Sequence, residues 1–170
     1  MKKLFVFLFP VLMLCPCDGF ALSNNNEDMS AVQSDNKEAV KDAIATHVKK
    51  VYAEALANED ESVALNEYGS ASFVDTYAKY CEATGGMGSI ECNIWSQAQD
   101  VSEPKIEIHD VNVESNKKAR VFLSLTNFGE NKAIGLPLVL EKGVWKIDDI
   151  VVMGQSMKGV MQDDIKAFAE

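Results

Sequence analysis

A chain of 170 residues, 47% of them hydrophobic, is long enough for one domain with a buried core and too short for a second of ordinary size. Its formal charge of −10 repels phosphate backbones, which excludes nucleic acid as a natural partner. No P-loop, zinc-ligand spacing, nucleophile elbow or Gly-rich dinucleotide turn occurs, so the sequence asks for no metal and no cofactor.

Lys2 and Lys3 precede an apolar run from Leu4 to Leu14 that is too short to span a bilayer, the anatomy of a secretory signal peptide. Gly19-Phe20-Ala21 offers cleavage after Ala21, and Ala21-Leu22-Ser23 offers it two residues later. Residues 1–23 are therefore assigned to the signal peptide, and the product is expected to be exported to the periplasm or beyond the cell. The alternative is a membrane-anchored lipoprotein acylated at Cys15 or Cys17. Leu14 and Pro16 stand before those cysteines, where a bacterial lipoprotein signal has a small residue. Cleavage removes Lys2, Lys3 and Asp18 and takes the charge from −10 to −11. Residues 24–36 are polar and read as a flexible leader, because so few large apolar groups cannot offset the entropy of ordering. A single domain over residues 37–170 remains.

From Lys37 the apolar residues recur at helical spacing. Val40, Ile44, Val48, Val51 and Ala55 form one stripe, widened by Tyr52 and Leu56, which predicts a helix to about Ala57. His47 borders that stripe and reads as a boundary histidine, since no partner is spaced for a metal or catalytic role. Asn58 to Ser62 breaks the helix and offers caps for a short helical piece, Val63 to Tyr68. A third helix is predicted from Ser70 or Ser72 to about Ala83, with Ser72-x-x-Asp75 as a loose capping box. Phe73, Tyr77 and Tyr80 share one face, and Val74, Ala78 and Cys81 the next, which suggests a sandwiched helix. Tyr77 and Tyr80 are candidate ligand-lining residues, beside the alternative of core tyrosines with satisfied hydroxyls.

Gly85, Gly86 and Gly88 mark a loop flanked by Cys81 and Cys92. In an exported chain this isolated pair is expected to form a disulfide closing the loop, a contribution of roughly 2–3 kcal/mol in the chain-entropy model. Ile94 to Asp100 shows no clear period, and its Trp95 joins the candidate lining residues. After Pro104 the period changes to two. Ile106 and Ile108 share one parity and Val111 and Val113 the other, so keeping all of them on one face requires an inserted residue at His109-Asp110. Bulges re-aim side chains, which singles out His109 as a site candidate against the alternative of an exposed edge feature.

The next strand alternates cleanly, with Ala119, Val121, Leu123 and Leu125 on one face and Arg120, Ser124 and Thr126 on the other; Phe122 is the exception. Gly129-Glu130-Asn131 turns, and Ile134, Leu136, Leu138 and Leu140 share the following face. Pro137 lacks a ladder donor, so either the ladder breaks there or this strand is partly an edge. Lys142-Gly143 predicts a tight hairpin into a last strand, Gly143 to Val152, with Trp145 and Ile147 opposite Lys146 and Asp148. Asp149 has the parity of Trp145, so its carboxylate is either an ionisable pocket group or an acceptor for a nearby amide. Met157, Val160, Met161, Ile165 and Phe168 define a C-terminal helix stripe able to cover the sheet. The predicted fold class is α+β: N-terminal helices packed on a four-stranded antiparallel meander, then a C-terminal helix.

This order of elements resembles the nuclear transport factor 2-like superfamily. The likeness is carried by the Val48 to Tyr52 helix face, the Gln99-Asp100 pair before the first long strand and the tryptophan strand Trp145 to Ile150, and it covers about residues 37–152. Within the superfamily it is nearest to an uncharacterised group of exported bacterial envelope proteins and proteins classed as lipoproteins. The resemblance implies a cone-like fold whose curved sheet wraps a helix and leaves a cavity, and it implies no reaction. Carboxylates, tyrosines or histidines line that cavity in the superfamily's isomerases and dehydratases, but no such dyad matches here residue by residue. The C-terminal helix and the cysteine pair depart from the pattern.

The sequence thus points to a non-catalytic binding or interaction module of the bacterial envelope, its cavity taking a small molecule, a peptide or an envelope protein. Tyr77, Tyr80, Trp95, His109 and Asp149 are its candidate lining residues. The alternative is a small cavity enzyme with Asp149 as base, His109 as acid and Tyr77 as oxyanion donor. Self-association through the sheet into a homodimer is a third reading.

Overall fold

The apolar stripe of one long helix and the inward side chains of three long strands are complementary surfaces, and the fold brings them face to face. A computed structural model describes residues 28–58 and 60–169, with side chains described from Asn36. The expected signal peptide, Cys15 and Cys17 included, lies outside the described residues.

Helix α1 spans Asp28–Leu56. It starts well before Lys37, so residues 28–36 continue the helix and are not the unstructured leader that their polarity predicts. Ile44, Val48, Val51, Tyr52 and Ala55 are buried as the stripe requires. Helix α2, Glu61–Tyr68, is capped by Asp60, whose carboxylate accepts from the Ser62 amide at 2.9 Å. Helix α3, Ala71–Thr84, is capped by Ser70 and not by Ser72; the Ser70 hydroxyl accepts from the Phe73 amide at 3.0 Å. It buries Phe73, Thr76, Tyr80 and Thr84, while Ala78 and Cys81 face solvent. One face is therefore covered, and the predicted sandwiching fails at the second.

Strands β1 (Lys105–Ser115), β2 (Lys118–Asn127) and β3 (Glu130–Glu141) form an antiparallel meander. Ile108 pairs with Leu123 and Asp110 with Phe122, which leaves His109 as the inserted residue of the predicted bulge. The slip puts Ile106, Ile108, Val111 and Val113 all opposite inward residues of β2. Phe122 stays on the outer face, 43% exposed, across from Gly135.

The predicted last strand is two strands. β4, Val144–Ile147, pairs with β3 as far as Leu138, and β5, Val151–Val152, resumes pairing at Gly135. Pro137 lies where the partner changes, and its carbonyl accepts from the Asp148 amide at 2.8 Å. The ladder is locally broken at the residue that cannot donate to it. A further hairpin adds β6, Gln155–Ser156, so the open sheet has six strands, not four. Three hairpins turn on an X-Gly pair with both residues at positive φ: Phe128-Gly129, Lys142-Gly143 and Met153-Gly154.

Helix α4, Met157–Phe168, is capped by Ser156 and packs along α3 instead of across the sheet. Met157 and Met161 are buried, and Phe168 at 48% exposure falls off the end of the contact. Two bonds from Asp164 hold α4 to the glycine loop, 2.6 Å from the Ser89 amide and 2.7 Å from its hydroxyl. These fix the loop that the cysteines were expected to close. Cys81 and Cys92 are free thiols, the first exposed and the second half-buried, so the predicted disulfide is absent.

Candidate functional site

The space between α1 and the sheet is filled unequally along its length. At the Leu125 end, Trp95 lies fully buried and meets Tyr52 edge-on, ring centroids 5.8 Å apart. Lys132, paired with Leu125, donates to the Gln97 carbonyl and closes this end. At the other end the described side chains leave a space open. A cleft of about 680 Å³ opens there, walled by Val40 of α1, Val113 of β1, Leu140 of β3 and the indole of Trp145 on β4. Asn36, Lys37, Ser115 and Asn116 form its polar margin. The volume falls in the range of small-molecule sites, and the chemistry is theirs too: apolar walls with a few polar groups at the mouth.

Local folding explains each wall. Leu140 pairs with Trp145 and Val113 with Ala119, so alternation delivers all of these side chains to the inner face. Ala119 is small, and the chain leaves β1 for β2 immediately beyond, at Ser115 to Lys118. The inner layer therefore runs out before α1 does. Trp145 is half-buried, in contrast to Trp95.

The five predicted site residues do not line this cleft. Tyr77, Tyr80 and Trp95 lie around α2 and α3. The Tyr77 hydroxyl donates to Glu61 at 2.9 Å, and burial together with that carboxylate raises its pKa. The other Glu61 oxygen accepts from the Ile94 amide at 2.7 Å, and the Trp95 indole donates to the Glu61 carbonyl at 3.1 Å. The Tyr80 hydroxyl accepts from the Ile90 amide at 3.3 Å, and burial raises its pKa. Glu61 is thus a structural hub that joins α2, α3 and the 93–98 turn, a role no sequence spacing announces.

His109 stands on the outer face of the sheet, its Nε2 3.0 Å from the Ser124 hydroxyl. A shallow groove of about 390 Å³ runs beside it past Arg120, Phe122, Gly135 and Val151. Asp149 falls in the break between β4 and β5. Its carboxylate accepts from the Ile150 amide at 2.8 Å, the Lys158 amide at 3.0 Å and the Ser156 hydroxyl at 2.6 Å, so it anchors the start of α4. Of the two readings of its parity, the acceptor is the one realised. Asp149, His109 and Tyr77 share no partner and belong to separate elements.

His47 lies along the cleft helix, half-buried, with its ring edge-on to Tyr68 at 6.0 Å. Burial lowers its pKa below 6.5, and the Lys50 and Lys146 ammonium groups act in the same direction. Among the described residues, no group of three or more His, Cys, Asp or Glu side chains is placed to hold a metal ion.

No protein-family model matches the chain, and no curated protein sequence does. The superfamily resemblance rests on the sequence features alone. Among solved structures, the fold is similar to that of a phospholipid-binding protein from Ralstonia solanacearum, determined in complex with a phospholipid. The identity is 10%, the match covers 76% of this chain and 98% of that one, and the TM-score is 0.45. A likeness at this level bears on neither the ligand nor the site of this chain.

Proposed function

We propose that the protein is an exported binding module of the cell envelope that holds a small, largely apolar ligand with a polar end in the cleft between α1 and the sheet. The observation that carries this reading is the cleft itself, with Val40, Val113, Leu140 and Trp145 around it and, among the described residues, polar groups only at its margin. Export is supported by the anatomy of residues 1–23. Holding a ligand here is an equilibrium matter. Apolar walls give affinity through area removed from water, and Asn36, Lys37, Ser115 and Asn116 orient the polar end.

N-phenyl-1-naphthylamine, a neutral probe that brightens in apolar surroundings, tests the proposal. With ~17 non-hydrogen atoms at roughly 0.4 kcal/mol each, it should bind with a Kd of about 10 μM. Val113→Trp places an indole in the cleft and should weaken uptake by at least about tenfold while thermal unfolding stays cooperative. No uptake by the wild type, or equal uptake by the variant, refutes the cleft as the site.

A further inference from the structure

The cleft reading gives the ligand a polar end, and the charges around the mouth narrow its chemistry. The chain carries 26 acidic residues against 16 basic ones, yet among the described residues no carboxylate lines the cleft, while Lys37 does. The described carboxylates next in the chain to the lining residues are engaged elsewhere. Glu38 pairs with Lys41 at 3.3 Å, Glu114 pairs with Arg120 at 3.5 Å, and Glu141 accepts from the Ala71 amide at 3.2 Å. Two of the neighbouring cations are engaged as well, Lys41 by Glu38 and Lys146 by the Glu67 carbonyl. Lys37 and Lys117 remain, both exposed and neither in an ion pair among the described residues. Lys37 is on α1, and Lys117 follows Asn116 in the β1–β2 turn at the opposite margin. The Lys117 carbonyl accepts from the amide of Leu140, a cleft wall, at 3.0 Å, which holds that turn beside the mouth.

We propose that the polar end of the occupant is an acid: the ligand is an anionic amphiphile with its alkyl chain against Val40, Val113, Leu140 and Trp145 and its carboxylate or phosphate between Lys37 and Lys117. This rests on the cleft reading and adds the class of ligand. The net charge of −10 opposes an anion at a distance, but at about 0.15 M salt that field fades over roughly 8 Å, so an acid at the mouth is governed by the lysines beside it. An ammonium is a point charge with rotatable donors, and the described lining offers no guanidinium fork. The site therefore reads the charge of the acid and not its shape, and carboxylates and phosphate monoesters share it.

The test displaces N-phenyl-1-naphthylamine from the protein with four competitors of equal chain length, each kept below the concentration at which it forms micelles: decanoate, decyl phosphate, decanol and decyltrimethylammonium. Each acid should displace half of the probe at a concentration at least about fivefold below that of decanol, the size expected of two exposed ion pairs acting together, and the ammonium compound should do no better than decanol. Raising the salt from about 0.05 M to about 0.5 M should narrow the ratio of acid to alcohol in the wild type. The Lys37→Gln/Lys117→Gln double variant should bring that ratio to within about twofold, and Lys37→Arg/Lys117→Arg should keep it, since arginine restores the charge. The ratio is taken within each protein, so a change in probe affinity cancels. Decanol displacing the probe from the wild type as well as the acids do, or the wild-type preference persisting in the double glutamine variant, overturns the acid while leaving the cleft in place. No uptake of the neutral probe by the wild type overturns the cleft reading, and the acid with it.

Discussion

Replacing Asp149 by alanine removes three accepted hydrogen bonds at once, and the cost can be worked from what each donor is left facing. Ile150 is fully buried, so its amide, 2.8 Å from the carboxylate, would be stranded at about 1–3 kcal/mol. The Lys158 amide, 3.0 Å away, belongs to the first turn of α4, where water can replace a lost acceptor for about 0.5–1 kcal/mol. The Ser156 hydroxyl keeps a second bond, accepting from the Gly159 amide at 2.8 Å, so its loss is small. The sum is about 2–4 kcal/mol, or a fall in Tm of roughly 6–15 °C for a domain of this size. Asp149→Asn keeps one oxygen acceptor and should cost roughly half as much. Urea denaturation followed by circular dichroism measures both. A variant within about 0.5 kcal/mol of the wild type, or one more stable than it, would refute the anchoring role and revive the reading of Asp149 as a functional carboxylate.

The same reasoning gives further expectations. Ser70→Ala loses the α3 cap and a 2.6 Å bond to Asp148 from a fully buried position, and should cost about 1–2 kcal/mol in urea denaturation. Gly88→Ala drives a methyl into the Tyr80 ring, which is held 7% exposed, and should cost about 1–3 kcal/mol by the same measurement. In protein lacking residues 1–23, Ellman's reagent should find two thiols without reductant, Cys81 reacting first because it is exposed and burial raises the pKa of Cys92. Finding no thiol would show the oxidised bridge instead. Because the folded pKa of His47 lies below its unfolded value, its contribution is fully present above pH 6.5 and is lost as pH falls through the folded pKa. Urea midpoints at a series of pH values should show that loss in the wild type and not in His47→Leu.

The sheet was legible in the chain because its signals are local. The parity slip between Ile108 and Val111 required an inserted residue, and His109 is it. The Lys142-Gly143 hairpin followed from turn chemistry alone. The division of the last strand was less accessible. Pro137 announced a broken ladder, but where the chain resumed pairing depends on Asp149 reaching Ser156 and Lys158, contacts that only tertiary structure reveals. Helix α1 outran its prediction because residues 28–36 offer only Met29 and Val32 as large apolar groups, and polar sequence continues a helix that is already nucleated at lower cost than it starts one.

The candidate site was read less well, for a physical reason. Tyr77, Tyr80, Trp95, His109 and Asp149 were chosen by side-chain chemistry, and each of them makes a hydrogen bond within the fold. The cleft is defined by where side chains stop, between Ala119 and the turn at Ser115 to Lys118. Trp145 carried the one usable signal. A large residue of inward parity, one step from a hairpin, overhangs the end of its own sheet.

The most direct test of the central claim is native mass spectrometry of the protein purified gently from the cells that make it, beside the Val113→Trp form prepared in the same way. The account predicts an added mass of a few hundred daltons on the wild type that disappears on denaturation and is missing from the variant. The same adduct on both proteins would place the ligand elsewhere. A bare wild type that also fails to take up N-phenyl-1-naphthylamine would contradict the claim that this cleft binds anything.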